Sequence, residues 1–364
     1  MEGLVSPSST FWRDRRVLVT GHTGFKGAWL SLWLSRLGAR VTGLALAPET
    51  SPSLFTLAGL AGRVDSRLGD IRSRAIVDAV VAESQPEVVF HLAAQALVRR
   101  SYTDPVATYE TNVMGTAHVL EAARHAEALR AVVVVTSDKC YENREWWWPY
   151  REDDALGGHD PYSSSKGCAE LVTAAWRRSY FGGPASPAGV ASARAGNVIG
   201  GGDWAEDRLV PDCVRAFATG TPVVIRRPAA VRPWQHVLEP LLGYVLLAER
   251  LAESPATFAE AWNLGPSVDD AQPVSWVVDR LVQFWGGSAR WEHDAGEQPH
   301  EAALLQVDAS KARARLGWTP RLRLEQGVRW TVDWYRRQQA GEDAAALTLE
   351  QIARFESLGR NAAS

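Results

Sequence analysis

The stretch that decides the fold reads Arg16-Val17-Leu18-Val19-Thr20-Gly21-His22-Thr23-Gly24-Phe25-Lys26-Gly27. Its first part is mostly apolar and β-branched, which is typical of a buried strand, and its glycines follow with the spacing GxxGxxG. Because glycine has no Cβ, such a turn can approach a ligand closely, and free N–H groups at the start of the next helix attract a pyrophosphate. The stretch therefore predicts the strand, turn and helix that open a dinucleotide-binding domain, with an ordinary strand-to-helix turn as the alternative.

Strands and helices alternate along the chain after this turn. The hydrophobic pattern predicts strands over 40–46, 87–91 and 131–136, and helices over 25–37, 73–83, 106–126 and 162–180. This alternation is typical of an α/β fold with a doubly wound parallel sheet of the Rossmann type. Shorter pieces rich in proline and glycine follow after about residue 195. We therefore predict a dinucleotide-binding domain over 11–195, to which some later segments return, and a smaller C-terminal lobe, mainly for substrate, over 196–364.

Composition and charge exclude several classes of protein. Of the 364 residues, 46% are hydrophobic and 22% charged, and the net charge of −3 argues against binding to nucleic acids or anionic membranes. Cys140, Cys168 and Cys213 are widely spaced and form no CxxC pattern, so we expect neither a metal site nor a disulfide framework. The sequence has no secretory signal pattern and no run of about 18 apolar residues. A reducing cytoplasm is therefore the expected location.

A tyrosine and a lysine stand four residues apart at the start of a predicted helix, in Tyr162-Ser163-Ser164-Ser165-Lys166. This spacing brings both side chains to one face of the helix. A lysine ammonium beside a phenol stabilises the phenolate and lowers the tyrosine pKa, so that the tyrosine can act as a base near neutral pH. Such pairs also occur by chance on protein surfaces, and the glycine turn upstream is what favours the catalytic interpretation.

Polar residues follow the predicted strand over 131–136, in Thr136-Ser137-Asp138-Lys139. Ligands of open α/β sheets bind at the carboxyl ends of the strands, which is where this segment lies. Ser137 can hydrogen-bond a reacting hydroxyl, and Asp138 and Lys139 supply an acid and a possible base beside it. The alternative is a solvated turn after the strand.

These three motifs together resemble the extended short-chain dehydrogenase/reductase family, and further blocks extend the resemblance to its nucleotide-sugar epimerases and dehydratases. The blocks are His91-Leu92-Ala93-Ala94-Gln95, Asn112-Val113-Met114-Gly115-Thr116, Arg194-Ala195-Gly196-Asn197-Val198 and Arg232-Pro233-Trp234-Gln235-His236-Val237. The text from Ser137 to Trp146 and from Gly200 to Ala205 is similar, within this family, to 4,6-dehydratases of cytidine diphosphate sugars. The similarity runs from about Phe11 to Trp334, nearly the whole chain.

The resemblance implies a role for each catalytic candidate. Tyr162 would be the base for the C4 hydroxyl of the sugar, Lys166 would adjust its pKa, and Ser137 would hold the C4 oxygen. Asp138 would be the acid that protonates the leaving C6 hydroxyl. Lys139 stands where related dehydratases have a glutamate base for C5. Asn112 matches the asparagine that often supports the lysine through water.

The resemblance also implies NAD as cofactor and CDP-glucose as substrate. Residues expected to bind the cofactor, besides Tyr162 and Lys166, are Gly21, Thr23, Gly24, Phe25, Lys26, Gly27, Asp70, Ile71, Ala93 and Thr136. Residues expected to bind the substrate are Gln95, Asn197, Arg208, Leu209, Arg232 and Asn263. Metal is not expected in the site. A homodimer or homotetramer is expected, assembled through the helices over 106–126 and 162–180.

The sequence departs from the usual pattern of NAD-binding domains at a position that affects the choice between NAD and NADP. NAD-binding domains of this type usually carry an acidic residue at the end of the second strand, where it binds the 2′-hydroxyl of the ribose. Here the strand ends in Leu46-Ala47-Pro48, the first acid is Glu49, and Lys26 could accept a 2′-phosphate. NAD is still favoured, because the hydride taken from the substrate returns to the product and no net oxidation occurs.

Two other functions are alternatives to this one. A dehydratase or epimerase for another nucleotide-sugar has the same scaffold, but an epimerase needs neither a C5 base nor a C6 acid, so Asp138 and Lys139 argue against it. A catalytically silent cofactor sensor would not need Ser137, Tyr162 and Lys166 together. The segment Trp146-Trp147-Trp148 is either a lid over the sugar or a packed surface loop.

Overall fold

The computed structural model of the chain describes residues 5–183, 188–294, 296 and 303–361. Its strands are β1 (Arg16–Thr20), β2 (Arg40–Ala45), β3 (Asp65–Leu68), β4 (Val88–His91), β5 (Ala131–Val135), β6 (Gly189–Ala195), β7 (Val198–Ile199), β8 (Val223–Ile225), β9 (Val231–Pro233), β10 (Gln235–His236), β11 (Ala261–Leu264), β12 (Ala271–Pro273) and β13 (Trp291–His293). Its α-helices are α1 (Ser9–Trp12), α2 (Phe25–Arg36), α3 (Leu54–Leu57), α4 (Arg74–Ser84), α5 (Val98–Thr103), α6 (Pro105–Tyr109), α7 (Gly115–Ala123), α8 (Pro161–Tyr180), α9 (Leu209–Ala218), α10 (Leu238–Glu253), α11 (Pro255–Phe258), α12 (Val274–Trp285), α13 (Leu324–Gln339) and α14 (Ala344–Asn361).

A seven-stranded sheet forms the centre of the described residues, with the strand order β3-β2-β1-β4-β5-β6-β11. All of its neighbouring strands are parallel. The chain builds outward from β1 through β2 to β3, then crosses to β4 on the other side of β1 and continues in the opposite direction. The predicted doubly wound parallel sheet is therefore confirmed, and the strand order reverses between β1 and β4, where such sheets bind their ligands.

Strand β1 explains why the first motif reads as a continuous apolar run. Val17 and Val19 pack into the core on one face of the sheet, which includes much of α2. Leu18 packs into the core on the other face. Because helices cover both faces of a parallel sheet, the buried side chains of such a strand are mostly apolar on both faces.

The predicted strands over 40–46, 87–91 and 131–136 are confirmed to within one residue at each end as β2, β4 and β5. The predicted helix over 106–126 divides into α6, a π-helical turn over Glu110–Met114 and α7. Such a turn inserts an extra residue into the helix, and it is frequent at functional sites. Here it carries the buried Asn112.

Parts of the C-terminal half pack directly on the sheet. Strand β11 extends its edge beside β6, and α10 packs against β5 and β6. The small strand pairs β8–β13, β9–β12 and β7–β10, together with α9 and α12, lie beyond the carboxyl edge. In the described part of the chain, no helix combines the length and the apolarity needed to cross a bilayer.

Candidate active site

A cleft of about 1060 Å³ opens at the carboxyl edge of β1, β4 and β5 and is closed on its far side by segments of the C-terminal half. The predicted site residues that line it are Gly21, Thr23, Gly24, Phe25, Lys26, Gly27, Asp70, Ile71, Ala93, Gln95, Thr136, Ser137, Asp138, Lys139, Tyr162, Lys166, Asn197, Arg208, Leu209 and Arg232. The structure thus brings together residues that the sequence separates by more than 200 positions.

Asn263 is the predicted site residue that does not line the cleft. It is fully buried in β11, where its Oδ1 accepts a hydrogen bond of 2.7 Å from the hydroxyl of Tyr141. Its Nδ2 donates to the carbonyl oxygens of Tyr150 and Asp308 at 2.9 and 3.1 Å. All of its amide groups are therefore used to join β11 to neighbouring loops. This geometry corrects the prediction that Asn263 binds the substrate.

Two amide side chains shape the loop after β4. Gln95 donates to the carbonyl of Leu97 and to Oγ1 of Thr108, and its Oε1 accepts from the Leu97 N–H. Asn112 accepts from the Gln95 N–H at 2.8 Å and donates to the Gln95 carbonyl and to Oγ of Ser165. The amide of Asn112 therefore joins this loop to α8, and its support of the active-site lysine through water stays a prediction.

The glycine turn has the shape that a dinucleotide requires. Gly21 has a φ of +78°, and a Cβ there would lie 2.7 Å from the backbone nitrogen of Ala93. A Cβ on Gly27 would lie 2.1 Å from the carbonyl oxygen of Gly21. Gly24 caps α2 without a side-chain hydrogen bond, so the N–H groups of its first turn are open to the cleft. Backbone donors and close approach of this kind fit a pyrophosphate.

Lys26 faces the catalytic end of the cleft. Burial, together with the charges of Arg208 and Lys166, lowers its pKa to about 8, although Asp138 and Asp203 oppose this. None of these neighbours belongs to the segment that follows β2. This placement argues against the idea that Lys26 accepts a 2′-phosphate at the end of the second strand.

Asp138 has the environment of a proton donor. It lies in the 3₁₀ turn Asp138–Cys140, which Ser137 caps by accepting a hydrogen bond from the Lys139 N–H. Oδ1 of Asp138 accepts from Oγ of Ser137 at 2.9 Å, whereas its buried Oδ2 has no partner among the described residues. Burial raises the pKa of Asp138, and the nearby Lys139 and the Ser137 hydrogen bond only partly oppose this. Burial therefore favours the protonated form, which can give a proton to a leaving group.

Tyr162 and Lys166 are both buried on the first turns of α8, whose start is capped by Asp160 through the N–H of Ser163. Burial raises the pKa of Tyr162 to about 12, although a hydrogen bond with Ser137 lowers it. Burial also lowers the pKa of Lys166 to about 8. The expected acidification of the tyrosine is therefore not found in the protein alone, because desolvation of the phenolate outweighs the stabilising groups.

A buried ion pair that the sequence analysis missed lies behind these residues. Oε2 of Glu170 accepts from Nη2 of Arg194 at 2.8 Å and from Oγ of Ser192 at 2.6 Å, and Oε1 accepts from Oγ1 of Thr136. Both charged side chains are only 3% exposed. Glu170 follows Lys166 by one helical turn and raises its pKa. That i,i+4 spacing is the signal that could have revealed it.

We expect Glu170→Gln to lower the free energy of unfolding by about 2 kcal/mol, because the buried guanidinium of Arg194 keeps its position and loses the compensating charge. Urea denaturation measures the change. The matched control is Glu350→Gln, which removes a glutamate that contacts Arg337 at 2.9 Å but is 55% exposed. That control should change stability by less than about 0.5 kcal/mol. Equal effects of the two variants would contradict a special role of the buried pair.

A second missed residue positions Arg208. Oδ2 of Asp203 lies 2.9 Å from Nη1 of Arg208, at the edge of the cleft. Asp203 is buried, and its backbone N–H donates to the hydroxyl of Tyr335, which donates in turn to the Asp203 carbonyl. Helix α13, which carries Tyr335, therefore helps to fix one of the arginines expected to bind the substrate.

The tryptophan segment is a surface loop. Trp146 stacks on Tyr150 with ring centroids 5.3 Å apart, while Trp147 and Trp148 are exposed. Residues 143–145 line the cleft beside this loop, and the three tryptophans do not. The packed surface loop is thus the alternative that agrees with the structure.

Comparison with known proteins defines the class to which this fold and cleft belong. The profile of a family described as GDP-mannose 4,6 dehydratase matches residues 18–331. The chain therefore belongs to this family of nucleotide-sugar epimerases and dehydratases within the extended short-chain dehydrogenases/reductases. The predicted family is confirmed.

Individual relatives give a more detailed comparison than the family profile does. A CDP-glucose 4,6-dehydratase of Salmonella typhimurium is 52% identical over 95% of this chain and 98% of its own length. Among solved structures, MoeE5 in complex with UDP-glucose and NAD is 26% identical, with a TM-score of 0.73 over 89% of this chain and 99% of its own. A dTDP-glucose 4,6-dehydratase of Bacillus anthracis, solved with NAD, is 22% identical and shares the fold, with a TM-score of 0.73 over 90% of this chain and 98% of its own.

Proposed function

We propose that the protein is a CDP-glucose 4,6-dehydratase, which converts CDP-glucose to CDP-4-keto-6-deoxy-D-glucose and water with NAD as cofactor. The observation that carries the proposal is the 52% identity, over nearly the whole length of both chains, to an enzyme of that activity. The cleft supports it, because Ser137, Asp138 and Lys139 lie together beside Tyr162. An acid and a possible base next to the tyrosine are what a dehydration needs in addition to a simple oxidation.

The dinucleotide fits the glycine turn. The open N–H groups at Gly24 would hold the pyrophosphate, Asp70 and Ile71 would meet the adenine, and Ala93 and Thr136 would border the rest of the cofactor. Bound NAD would supply the hydride acceptor for the oxidation at C4 and the hydride for the reduction at C6, so no net oxidation would remain at the end.

The side chains of the chain itself move the protons. Tyr162 takes the proton of the C4 hydroxyl while Ser137 holds that oxygen and Lys166 balances the developing phenolate charge. The resulting C4 ketone acidifies C5, from which Lys139 removes a proton. The electron pair left on C5 forms the C5–C6 double bond and expels the C6 hydroxyl, which Asp138 protonates to give water. When hydride returns to C6, Lys139 gives its proton back to C5, which completes the 4-keto-6-deoxy sugar.

We assign substrate binding to the rim contributed by the C-terminal half. Arg208 and Arg232 supply the positive charge that a nucleoside diphosphate requires, with Asn197, Leu209 and Gln95 beside them. This assignment divides the chain into an NAD-binding domain over 11–195 and a mainly substrate-binding lobe over 196–364. Strand β11 and helix α10 return to the sheet from the later part.

Assembly into a homodimer or homotetramer is part of the proposal, as is a cytoplasmic location. Helices α6, α7 and α8 pack against one another, directly or through the π-helical turn, and leave Val106, Met114 and Leu171 exposed. Exposed apolar side chains on packed helices favour burial against a second copy.

Incubation of the pure protein with CDP-, dTDP-, GDP- and UDP-glucose tests the function. We expect a keto-sugar, detected by its ultraviolet absorbance in alkali, from CDP-glucose, with catalytic amounts of NAD and no NADH left at the end. Preferential conversion of another nucleotide-sugar would support the alternative dehydratase. Formation of a C4 epimer without loss of water would identify an epimerase. Steady accumulation of NADH would identify a simple dehydrogenase.

A further inference from the structure

The end of β2 lacks the acid that usually selects NAD. That acid follows the glycine turn by about 20 residues and accepts a hydrogen bond from the 2′-hydroxyl of the adenosine ribose. Here β2 ends at Ala45 and continues as Leu46-Ala47-Pro48. Oγ1 of Thr23 donates to the carbonyl of Leu46 at 2.9 Å, which fixes this apolar segment beside the glycine turn. The position next to the expected ribose therefore carries no charge of its own.

The first carboxylate after β2 belongs to Glu49, and it is paired. Its Oε1 lies 2.8 Å from Nη1 of Arg100, which α5 brings to the same end of the cleft. Glu49, Arg100 and Ala47 all line the cleft. The side chain of Glu49 is 62% exposed and that of Arg100 52% exposed. An ion pair this exposed contributes little to stability, so it opens easily when either partner meets a ligand.

Other charged groups nearby have partners of their own. Asp70 accepts from Arg72, with 2.7 Å between Nη2 and Oδ2, and Arg72 also lies 3.6 Å from Glu110. Arg99, the neighbour of Arg100 on α5, lies 3.2 Å from Asp207 on the opposite rim of the cleft. The pair formed by Glu49 and Arg100 is thus the charged pair that directly follows the end of β2.

We infer that the Glu49–Arg100 pair sets the selectivity of this protein between NAD and NADP, and that the selectivity is weak. The inference rests on the proposed function, because it requires a dinucleotide in the cleft. With NAD, Glu49 accepts the hydrogen bond of the 2′-hydroxyl while Arg100 keeps its contact. With NADP, Arg100 leaves Glu49 and donates to the 2′-phosphate, a geometry that suits a guanidinium.

Charge explains why such a pair discriminates less than a strand-end aspartate does. A carboxylate at position 47 would face a 2′-phosphate without a counter-ion, and like charges in contact repel strongly. The charge of Glu49 is instead neutralised by Arg100, and the arginine supplies attraction for the phosphate. We therefore expect the dissociation constants of NAD and NADP to agree within about tenfold.

Competition binding tests the inference without relying on turnover. The protein is loaded with NADH, and NAD or NADP displaces it while the fluorescence of bound NADH is followed. Glu49→Gln should strengthen NADP binding relative to NAD by about tenfold or more, because Arg100 is released. Arg100→Gln should weaken NADP relative to NAD by a similar factor of about ten. Ala47→Asp, which restores the usual acid, should weaken NADP by at least about tenfold.

The matched control is Arg99→Gln, which removes the same charge from the adjacent position on α5. In this variant the ratio of the NAD and NADP dissociation constants should stay within about twofold of the wild-type ratio, because Arg99 faces Asp207. A wild-type preference for NAD above about 100-fold, or unchanged ratios in Glu49→Gln and Arg100→Gln, would overturn the inference while leaving the proposed function intact. If none of NADH, NAD and NADP bound to the protein, the proposed function would fall as well.

Discussion

Tyr162→Phe should reduce turnover by at least about 100-fold while the substrate still binds, because general-base catalysis typically contributes ~10²- to 10⁴-fold. The phenylalanine ring fills the same buried space on α8, so packing around Lys166 and Ser137 is preserved. Only the oxygen that takes the C4 proton is lost. Burial raises the pKa of Tyr162 to about 12, although a hydrogen bond with Ser137 opposes this.

Steady-state kinetics and direct binding of CDP-glucose separate an effect on turnover from an effect on substrate binding. A lost base lowers kcat and leaves the dissociation constant of the substrate nearly unchanged. Tyr180→Phe is the control, because Tyr180 ends the same helix far from the cleft and stacks against Arg124 at the surface. It should retain activity within about twofold. Retention of more than about a tenth of the rate in Tyr162→Phe would show that another group takes the C4 proton.

Elements that bury apolar side chains on both faces could be predicted from the sequence, and elements held by backbone pairing could not. Strand β1 and strand β5 are continuous apolar runs because helices cover both faces of the sheet. Strand β3 is polar and largely exposed, since it lies at the edge of the sheet and has no apolar face buried in the core. Its position follows from pairing with β2 and leaves no periodic pattern to detect.

The residues of the site also include some that could be predicted from the sequence and others that could not. The glycine turn after β1 and the residues Ser137 and Asp138 after β5 could be predicted to meet, because the carboxyl ends of parallel strands share one edge of the sheet. Partners that come from distant segments left no such signal: Tyr335 reaches Asp203 across 132 positions. Asn263 shows the opposite error, since a motif match fixes a position in the chain but not the direction of a side chain. Its amide points into the protein, where backbone carbonyls satisfy it.

Lys139→Ala should stop the reaction after the first hydride transfer. If Lys139 is the base for C5, the C4 ketone and NADH form and persist, while the C5 proton stays in place and no water is lost. Overall turnover should fall by about 10²- to 10⁴-fold, the usual range for a general base. A single turnover with substrate deuterated at C5 follows all three events, because NADH absorbance, label retention and product formation are read separately.

Asp138→Asn serves as the companion variant, because it removes the acid and leaves the base. In this variant the C5 deuterium of the substrate should exchange with solvent while the C6 hydroxyl stays, whereas Lys139→Ala should retain both. An indirect effect of Lys139→Ala on Asp138 does not imitate a missing base. The ammonium of Lys139 lowers the pKa of Asp138, so its removal raises that pKa and keeps the acid protonated. Loss of label from Lys139→Ala at a nearly wild-type rate would therefore assign the base to another group and leave Lys139 to orient Asp138 or the substrate.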